Sequence, residues 1–363
     1  MLMFYELVRI TTFFLIIVAH KEYIMRQVIN TIGRAAFRRS YHSIAYTEEV
    51  EPGVVRAFDD MVTRIIKPHQ ACRHSLFPYM SQTANNGHLT PEGFARFRHG
   101  MFSRVFTTVP SIFELGRQSF LNGDYKTAAT AILNIKEEGG EGRIAFMHPL
   151  LMEECFNVIG KNVFGLNAVS MRSCYHSPYL SEEIIYRHTI DALYKEHGPI
   201  VSYMQEFASG GDNTEQHLGM MGDMYKLFHS YMNNIPRSEF MQSVRPYFAF
   251  HISLDSQTHK QVINGTAIEL EHANRAKKDC LRQFKKIQDI KKLLPYMLAF
   301  LDVQERLFDA IQQDVSEGIQ SDIKKGIKGI YPISVIQKLS VDNKQSPPVN
   351  AKIKHLSTPE IRR

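Results

Sequence analysis

A short segment near residue 250 combines three side chains of metal-binding type. His251, Asp255 and His259 follow one another at four-residue intervals in the sequence YFAFHISLDSQTH. In an α-helix this spacing places all three on one face, because each step advances only about 40° around the axis. Neutral imidazoles and a carboxylate suit iron, manganese or zinc, with positions left open for oxygen or a small substrate. The alternative is a helix whose polar face happens to be rich in histidine.

A second cluster lies more than a hundred residues upstream. Glu138 ends a predicted helix, several glycines follow, and His148 begins the next helix. The glycines allow the chain to double back, so that Glu138 and His148 could face one centre. Alone, this cluster is more typical of an acidic last turn followed by a histidine near a helix start. A two-metal site in a bundle needs Glu and His from several helices, so the two clusters together favour such a site.

The elements that must position these residues are predicted to be helices. Gly and Pro punctuate the chain, and alternating runs rich in Val, Ile and Thr are scarce. Thr90 and Pro91 form a typical helix start, with Thr90 as the cap. The predicted helices span residues 54–79, 90–122, 125–138, 148–160, 181–209, 214–234, 238–264, 266–292 and 296–317. We expect three parts of the chain: 1–45 as a leader or appendage, 46–320 as the helical domain and 321–363 as a basic, flexible tail.

Composition limits the function classes. The 363 residues carry a formal charge of +6, and residues 321–363 account for all of this excess. The body is therefore nearly neutral, and the basic pI of the chain is no argument that it binds nucleic acid. The four cysteines have no paired spacing, which favours free thiols in the reducing cytoplasm. An apolar run at residues 11–19 is too short to span a bilayer, although a leader there is left open.

The order of these motifs resembles the haem-oxygenase-like diiron oxidase superfamily. In that family a Glu near a glycine turn, a His about ten residues later, a mid-bundle Glu and a final His-Asp-His helix hold two irons. Here His251, Asp255 and His259 match the final helix, and Glu138 and His148 match the earlier pair. Further likeness lies upstream, in segments 74–78, 87–94 and 106–112.

The resemblance, which spans about residues 55–265, implies a mid-bundle carboxylate some thirty residues before the final helix. Asp223 lies at nearly this distance and is the preferred candidate. Glu215 and His229 are further candidates, although Glu215 at a helix start could simply complement the dipole. Glu206 is a more distant option. Glu114 corresponds roughly to an extra carboxylate of some relatives, and the alternative for it is a surface position.

The resemblance implies an all-α, haem-oxygenase-like helical bundle with extra C-terminal helices. It also implies two non-haem iron ions that activate O2 to oxidise a small organic substrate. O2 and this substrate are the expected partners, without nucleic acid or a stable membrane span, and a homodimer is left open. One alternative is a non-catalytic helical interaction protein that retains the fold and acts through its termini. Another is haem degradation, for which His74 is the candidate early ligand.

Overall fold

The computed structural model describes residues 50–142, 144, 147–208, 219–248, 260–263, 266–269 and 272–333. These residues form a bundle of α-helices and a short antiparallel hairpin of strands β1 (Lys260–Ile263) and β2 (Thr266–Glu269). The helices are α1 (Pro52–Met61), α2 (Leu76–Asn85), α3 (Pro91–Val105), α4 (Thr108–Leu121), α5 (Tyr125–Glu138), α6 (His148–Phe164), α7 (Met171–His176), α8 (Ser181–Glu206), α9 (Gly219–Ser230), α10 (Arg237–Glu239), α11 (His272–Leu281) and α12 (Ile287–Lys324).

Local sequence signals explain where several helices begin and end. The Thr90 hydroxyl caps α3 by accepting a hydrogen bond from the Gly93 N–H at 3.3 Å, which confirms the predicted start. Asp124 caps α5 in the same way through the Thr127 N–H, at 3.1 Å. Helix α6 ends at Gly165, whose φ of 65° is left-handed and therefore favours glycine. Residues at the ends of α3, α5 and α6 thus determine where these helices begin or end.

The long helix α12 lies at the centre of the bundle, packed along both α3 and α8. Its close approach to α3 requires Gly100, because a Cβ there would lie 2.6 Å from Cγ1 of Ile311. The buried Arg104 guanidinium of α3 donates a hydrogen bond to Gln304 Oε1 of α12 at 2.8 Å. Helices α3 and α8 therefore bury their apolar faces only when α12 is in place.

Aromatic rings fill the core between α3, α6 and α9. Phe94 and Phe164 stack with ring centroids 4.6 Å apart, and Phe156 meets Phe228 edge to face at 4.7 Å. Phe248 extends the cluster, with its ring centroid 5.6 Å from that of Phe228. All five side chains are buried, so they exclude water from the middle of the bundle.

Helix α8 is kinked in its second half. His197 leaves helical geometry at φ −137° and ψ 38°, two residues before Pro199. Proline cannot donate a backbone hydrogen bond and its ring clashes with the preceding turn, which explains the break. Every residue from Ile200 to Glu206 is buried. The final turns of α8 are therefore enclosed by the rest of the bundle.

The predicted all-α fold is confirmed, and the helix predicted over residues 125–138 has these bounds in the structure. Two predictions of single long helices were wrong. The chain breaks between α1 and α2 near residue 68, and between α3 and α4 at Thr107. Both breaks have proline nearby: Pro68 ends the first helical stretch, and Pro110 sits in the first turn of α4, where it is tolerated.

The predicted helices over 238–264 and 266–292 were wrong where the two strands lie. The residues between the strands, Asn264 and Gly265, are the sequence pair most typical of a two-residue hairpin. Helix α12 also begins earlier than predicted, since it includes Pro295. The helical segment that starts at α10 continues through a π-helical turn (Phe240–Val244) to residue 248.

The C-terminal part of the described chain returns to the bundle. Helix α12 runs to Lys324, beyond the predicted domain boundary at residue 320. The Ile330 N–H then donates a hydrogen bond to the Leu89 carbonyl at 3.0 Å, and the Tyr231 hydroxyl donates to the Ile330 carbonyl at 3.1 Å. The predicted leader and residues 334–363 of the predicted tail lie outside the described residues.

Candidate metal centre

The structure brings Glu138 and His148 into contact. Glu138 Oε2 lies 3.1 Å from Nδ1 of His148, and the two side chains are 12% and 5% exposed. Between them the chain reverses through a short 3-10 turn (Gly140–Gly142). Gly140 and Gly142 have φ of 64° and 83°, in the left-handed region that glycine adopts at little cost. The glycines therefore close the short connection that joins the ends of two helices.

The two side chains sit at helix ends of opposite polarity. Glu138 is the last residue of α5, where the helix dipole presents partial negative charge, and His148 is the first residue of α6, where it presents partial positive charge. The dipoles therefore disfavour both the carboxylate and a protonated imidazole. A cation shared by a carboxylate and a neutral imidazole removes this conflict, so the pair fits a divalent metal such as iron.

The neighbouring carboxylate, Glu137, has a different partner. The Arg275 guanidinium of α11 donates to both of its oxygens, to Oε1 at 3.2 Å. Both side chains are largely buried, and Arg275 is 7% exposed. This bidentate pair holds α11 against the end of α5, so the adjacent Glu138 is presented to His148 from an anchored helix.

The helical segment over residues 237–248 runs antiparallel to α6, toward His148. Glu239 accepts a hydrogen bond from the Asn162 amide at 2.8 Å, near the end of α6. Ser243, further along, donates to Glu154 at 2.6 Å, about two turns closer to His148.

A buried carboxylate, Glu206, ends α8. It is 9% exposed and follows a run of residues that are all buried. Burial, and then the nearby charge of Glu206, raise the pKa of Tyr194 well above its usual range. The adjacent Gln205 accepts a hydrogen bond from the Tyr194 hydroxyl at 2.7 Å and donates to the Thr108 hydroxyl. The end of α8 thus brings acidic and polar groups into the bundle.

Two of the other predicted carboxylates lie near the surface. Asp223 of α9 pairs with Lys226 at 3.0 Å, and the two side chains are 33% and 50% exposed. Glu114 of α4 accepts hydrogen bonds from Arg117 and Gln118, which lower its pKa to about 2. Both contacts are local ones within a single helix, and neither connects the carboxylate to the Glu138 pair.

The remaining predicted ligands are His251, Asp255, His259 and Glu215, and all four lie outside the described residues. Among the residues that are described, no group of three His, Cys, Asp or Glu side chains is arranged to hold a metal ion. The described part therefore contributes two neighbouring candidate ligands.

Sequence reasoning did not predict that Glu206 is buried and did not consider Arg275. The signal for Glu206 was the apolar run that follows Pro199, which indicates a helix end buried on all sides. Arg275 lies in a Lys-rich stretch whose pattern is typical of a solvent-exposed helix face. The sequence therefore did not indicate that this one basic residue is buried.

Comparisons with known proteins agree with the helical fold. A family model described as iron-containing redox enzyme matches residues 111–292, half of the chain. This region runs from the first turn of α4 to the start of α12, and it includes the Glu138 and His148 pair and the end of α8. Searches of curated proteins and of solved structures gave no match. In the described residues, no helix is long and apolar enough to cross a membrane. The chain belongs to the family of iron-containing redox enzymes.

Proposed function

We propose that this protein is a non-haem diiron oxidase or oxygenase that activates O2 and oxidises a small organic substrate within the helical bundle. The observation that carries the proposal is the buried contact between Glu138 and His148 at two opposed helix ends. A carboxylate and an imidazole are both typical members of an iron ligand set. Membership of an iron-containing redox family supports the choice of metal.

The proposed ligands come from four parts of the chain. Glu138 and His148 supply two ligands, and the sequence motif of His251, Asp255 and His259 supplies three more. The antiparallel course of residues 237–248 along α6 supports this grouping, because it leads the chain toward the His148 end. Bound ferrous iron would supply the electrons and the open coordination positions that O2 requires.

For the mid-bundle carboxylate we give Glu206 precedence over Asp223 and Glu215. A ligand inside a bundle must project inward, and Glu206 is 9% exposed on an enclosed helix end. Asp223 is a third exposed and paired with a surface lysine. Its candidacy rests on sequence distance alone, as does that of Glu215.

The chain's own residues would protect the reaction from water and fix the ligand geometry. The Arg275 and Glu137 pair anchors the end of α5, and the aromatic cluster around Phe156 and Phe248 fills the adjacent bundle. A dry, apolar surrounding strengthens the interactions of charged groups and limits side reactions of an oxidising centre. The four free thiols support the proposal of a reducing cytoplasmic setting.

The surroundings of His74 favour non-haem iron over haem. Its Nε2 lies 3.2 Å from Asp309 Oδ1, and its Nδ1 accepts a hydrogen bond from the Leu76 N–H at 3.1 Å. Both ring nitrogens are therefore engaged, and an axial haem ligand needs one of them. Addition of haem to the protein should accordingly give no Soret band of a histidine-ligated haem.

The test is iron content after anaerobic loading with ferrous iron, followed by visible absorbance on adding O2. About two irons per chain and a transient absorption band are expected for a two-metal site. Glu138→Gln and His148→Gln should lose iron, whereas the matched surface variant Glu114→Gln should keep it. Folded protein that retains no iron and does not respond to O2 would overturn the proposal and favour a non-catalytic interaction protein.

A second pair of variants tests the mid-bundle ligand. Glu206→Gln should lose iron and Asp223→Asn should retain it, with circular dichroism checking that both variants fold. The reverse result would return the role to Asp223.

A further inference from the structure

The hairpin of α4 and α5 exposes an unusually large apolar surface. Five large apolar side chains on it are between 55% and 66% exposed. We call this surface the hairpin face, and its members are Phe113, Phe120, Leu121, Tyr125 and Ile132. The opposite side of the hairpin is buried against the bundle, through residues such as Leu115 and Ala131.

The geometry of the hairpin gathers these side chains into one patch. Phe113 and Phe120 lie seven residues apart on α4, and Tyr125 and Ile132 lie seven apart on α5, so each pair shares one side of its helix. The rings of Phe120 and Tyr125 are in contact next to the turn, with centroids 5.4 Å apart. Phe113 lies seven residues before Phe120 and Ile132 lies seven residues after Tyr125, so Phe113 and Ile132 are expected to face each other across the two antiparallel helices.

The two helices are close enough for the patch to be continuous. A Cβ on Gly116 of α4 would lie 3.3 Å from the Cβ of Ala131 on α5, so small residues meet at this crossing. The apolar side chains on the two helices thus border the same narrow groove.

The area of the hairpin face suits a pairing of two copies. With roughly 200 Å² for each large side chain, exposures of 55–66% give on the order of 600 Å² per chain. That is at the upper end of apolar patches on monomers, about 300–600 Å². Two such faces bury about 1,200 Å² together, which is the lower bound of specific, stable interfaces.

Charge also favours a second copy over a lipid surface. The hairpin over residues 108–138 carries three basic and four acidic residues, so it has no cationic rim for anionic lipid headgroups. Beside the face, Glu114 and Arg117 already neutralise each other through two hydrogen bonds of 2.9 Å. A face that is apolar and nearly neutral does not repel its own copy.

We propose that the hairpin face is the interface of a two-fold symmetric homodimer, in which α4 and α5 pack against α4 and α5 of a second chain. In such an isologous contact the same patch serves both partners, so an apolar surface without net charge is self-complementary. The four helices bury their exposed aromatic side chains in the manner of a bundle. This inference is independent of the proposed iron chemistry.

The test is the oligomeric state of the full chain, measured by sedimentation equilibrium over a range of protein concentrations. The unaltered protein should be a dimer that dissociates on dilution. The double variant Phe113→Ser, Phe120→Ser should raise the dissociation constant about tenfold or more, because aromatic side chains at the centre of interfaces dominate binding. The matched control Ile287→Ser, Ile323→Ser removes side chains of similar exposure, 53% and 51%, on α12 and should leave it unchanged.

Two results would overturn the proposal. One is a monomer at every concentration, as expected if another segment of the same chain covers the face. The other is a dimer that the Phe113 and Phe120 changes leave intact. If the double serine variant fails to fold by circular dichroism, the single variant Ile132→Ser takes its place. Iron content, measured on the same samples, separates this outcome from that of the proposed function.

Discussion

Removing His99 should remove a pH-dependent part of the protein's stability. His99 of α3 faces Glu183 of α8, with 3.6 Å between Nε2 and Oε1. The Glu183 side chain is fully buried. Burial alone would lower the pKa of His99, but its polar contacts with Cys174 and Glu183 raise it to about 9. At neutral pH the protonated ring therefore balances a buried carboxylate.

The magnitude follows from the change in proton affinity. A rise of the pKa from 6.5 to about 9 corresponds to about 3 kcal/mol. Because the folded state binds this proton more tightly than the unfolded state, the contribution is complete below pH 6.5. It is lost progressively as the pH rises toward 9.

The assay is urea unfolding of the full chain at the two ends of this pH range, for the unaltered protein and for His99→Gln. The unaltered protein should lose about 3 kcal/mol more than the variant on going from the low to the high pH. His188→Gln is the matched control, because His188 is an exposed histidine on α8. It should retain the full pH dependence.

Leaving Glu183 buried without a cation can prevent folding, so the double variant His99→Gln, Glu183→Gln provides a folded comparison. It replaces both charges with neutral amides and should unfold with little pH dependence over this range. Equal losses in the unaltered protein, the single variant and the double variant would refute the reasoning, since the stabilisation would then lie elsewhere.

Two further predictions concern packing and a buried acid. Gly100→Ala should destabilise the protein by about 1–2 kcal/mol in urea unfolding, because its Cβ would lie 2.6 Å from Ile311; Gly53→Ala, which meets only a glutamate side chain, should not. Burial raises the pKa of Asp279 to about 6, although the nearby Arg282 lowers it. Because the folded state binds this proton more tightly, the contribution of Asp279 to the free energy of unfolding is complete below pH 3.8 and is lost as the pH rises through 6. Asp279→Asn should abolish that loss of about 3 kcal/mol, and an unchanged pH profile would contradict it.

The sequence was sufficient to predict the helical class and several helix starts. The pattern from Asp124 to Glu138 contains a cap, helix-forming residues and a glycine stop, so local chemistry alone sets both ends of α5. The breaks near Pro68 and Thr107 were missed, because apolar periodicity continues across them. The hairpin strands were missed because each is only four residues long, too short to show a strand pattern against the helical pattern assigned to the flanking sequence.

For the candidate site, the glycine turn was enough to suggest that Glu138 and His148 meet. The orientation of Glu206 could not be predicted, since it depends on a kink at His197 and on packing by helices far away in the sequence. The burial of Arg275 likewise depends on its partner Glu137, which lies 138 residues earlier. Long-range contacts of this kind leave no mark in the local pattern.

The central position of α12 has a consequence for how the protein is made. The residues that complete the core around α3, such as Gln304 and Ile311, lie some two hundred positions after their partners Arg104 and Gly100. During synthesis on the ribosome, the apolar surfaces of α3 and α8 that α12 covers stay exposed until α12 has been synthesised. Such high contact order slows folding and prolongs exposure to aggregation. We therefore expect the core around α3 to form, and the need for chaperones to end, only after α12 has been synthesised.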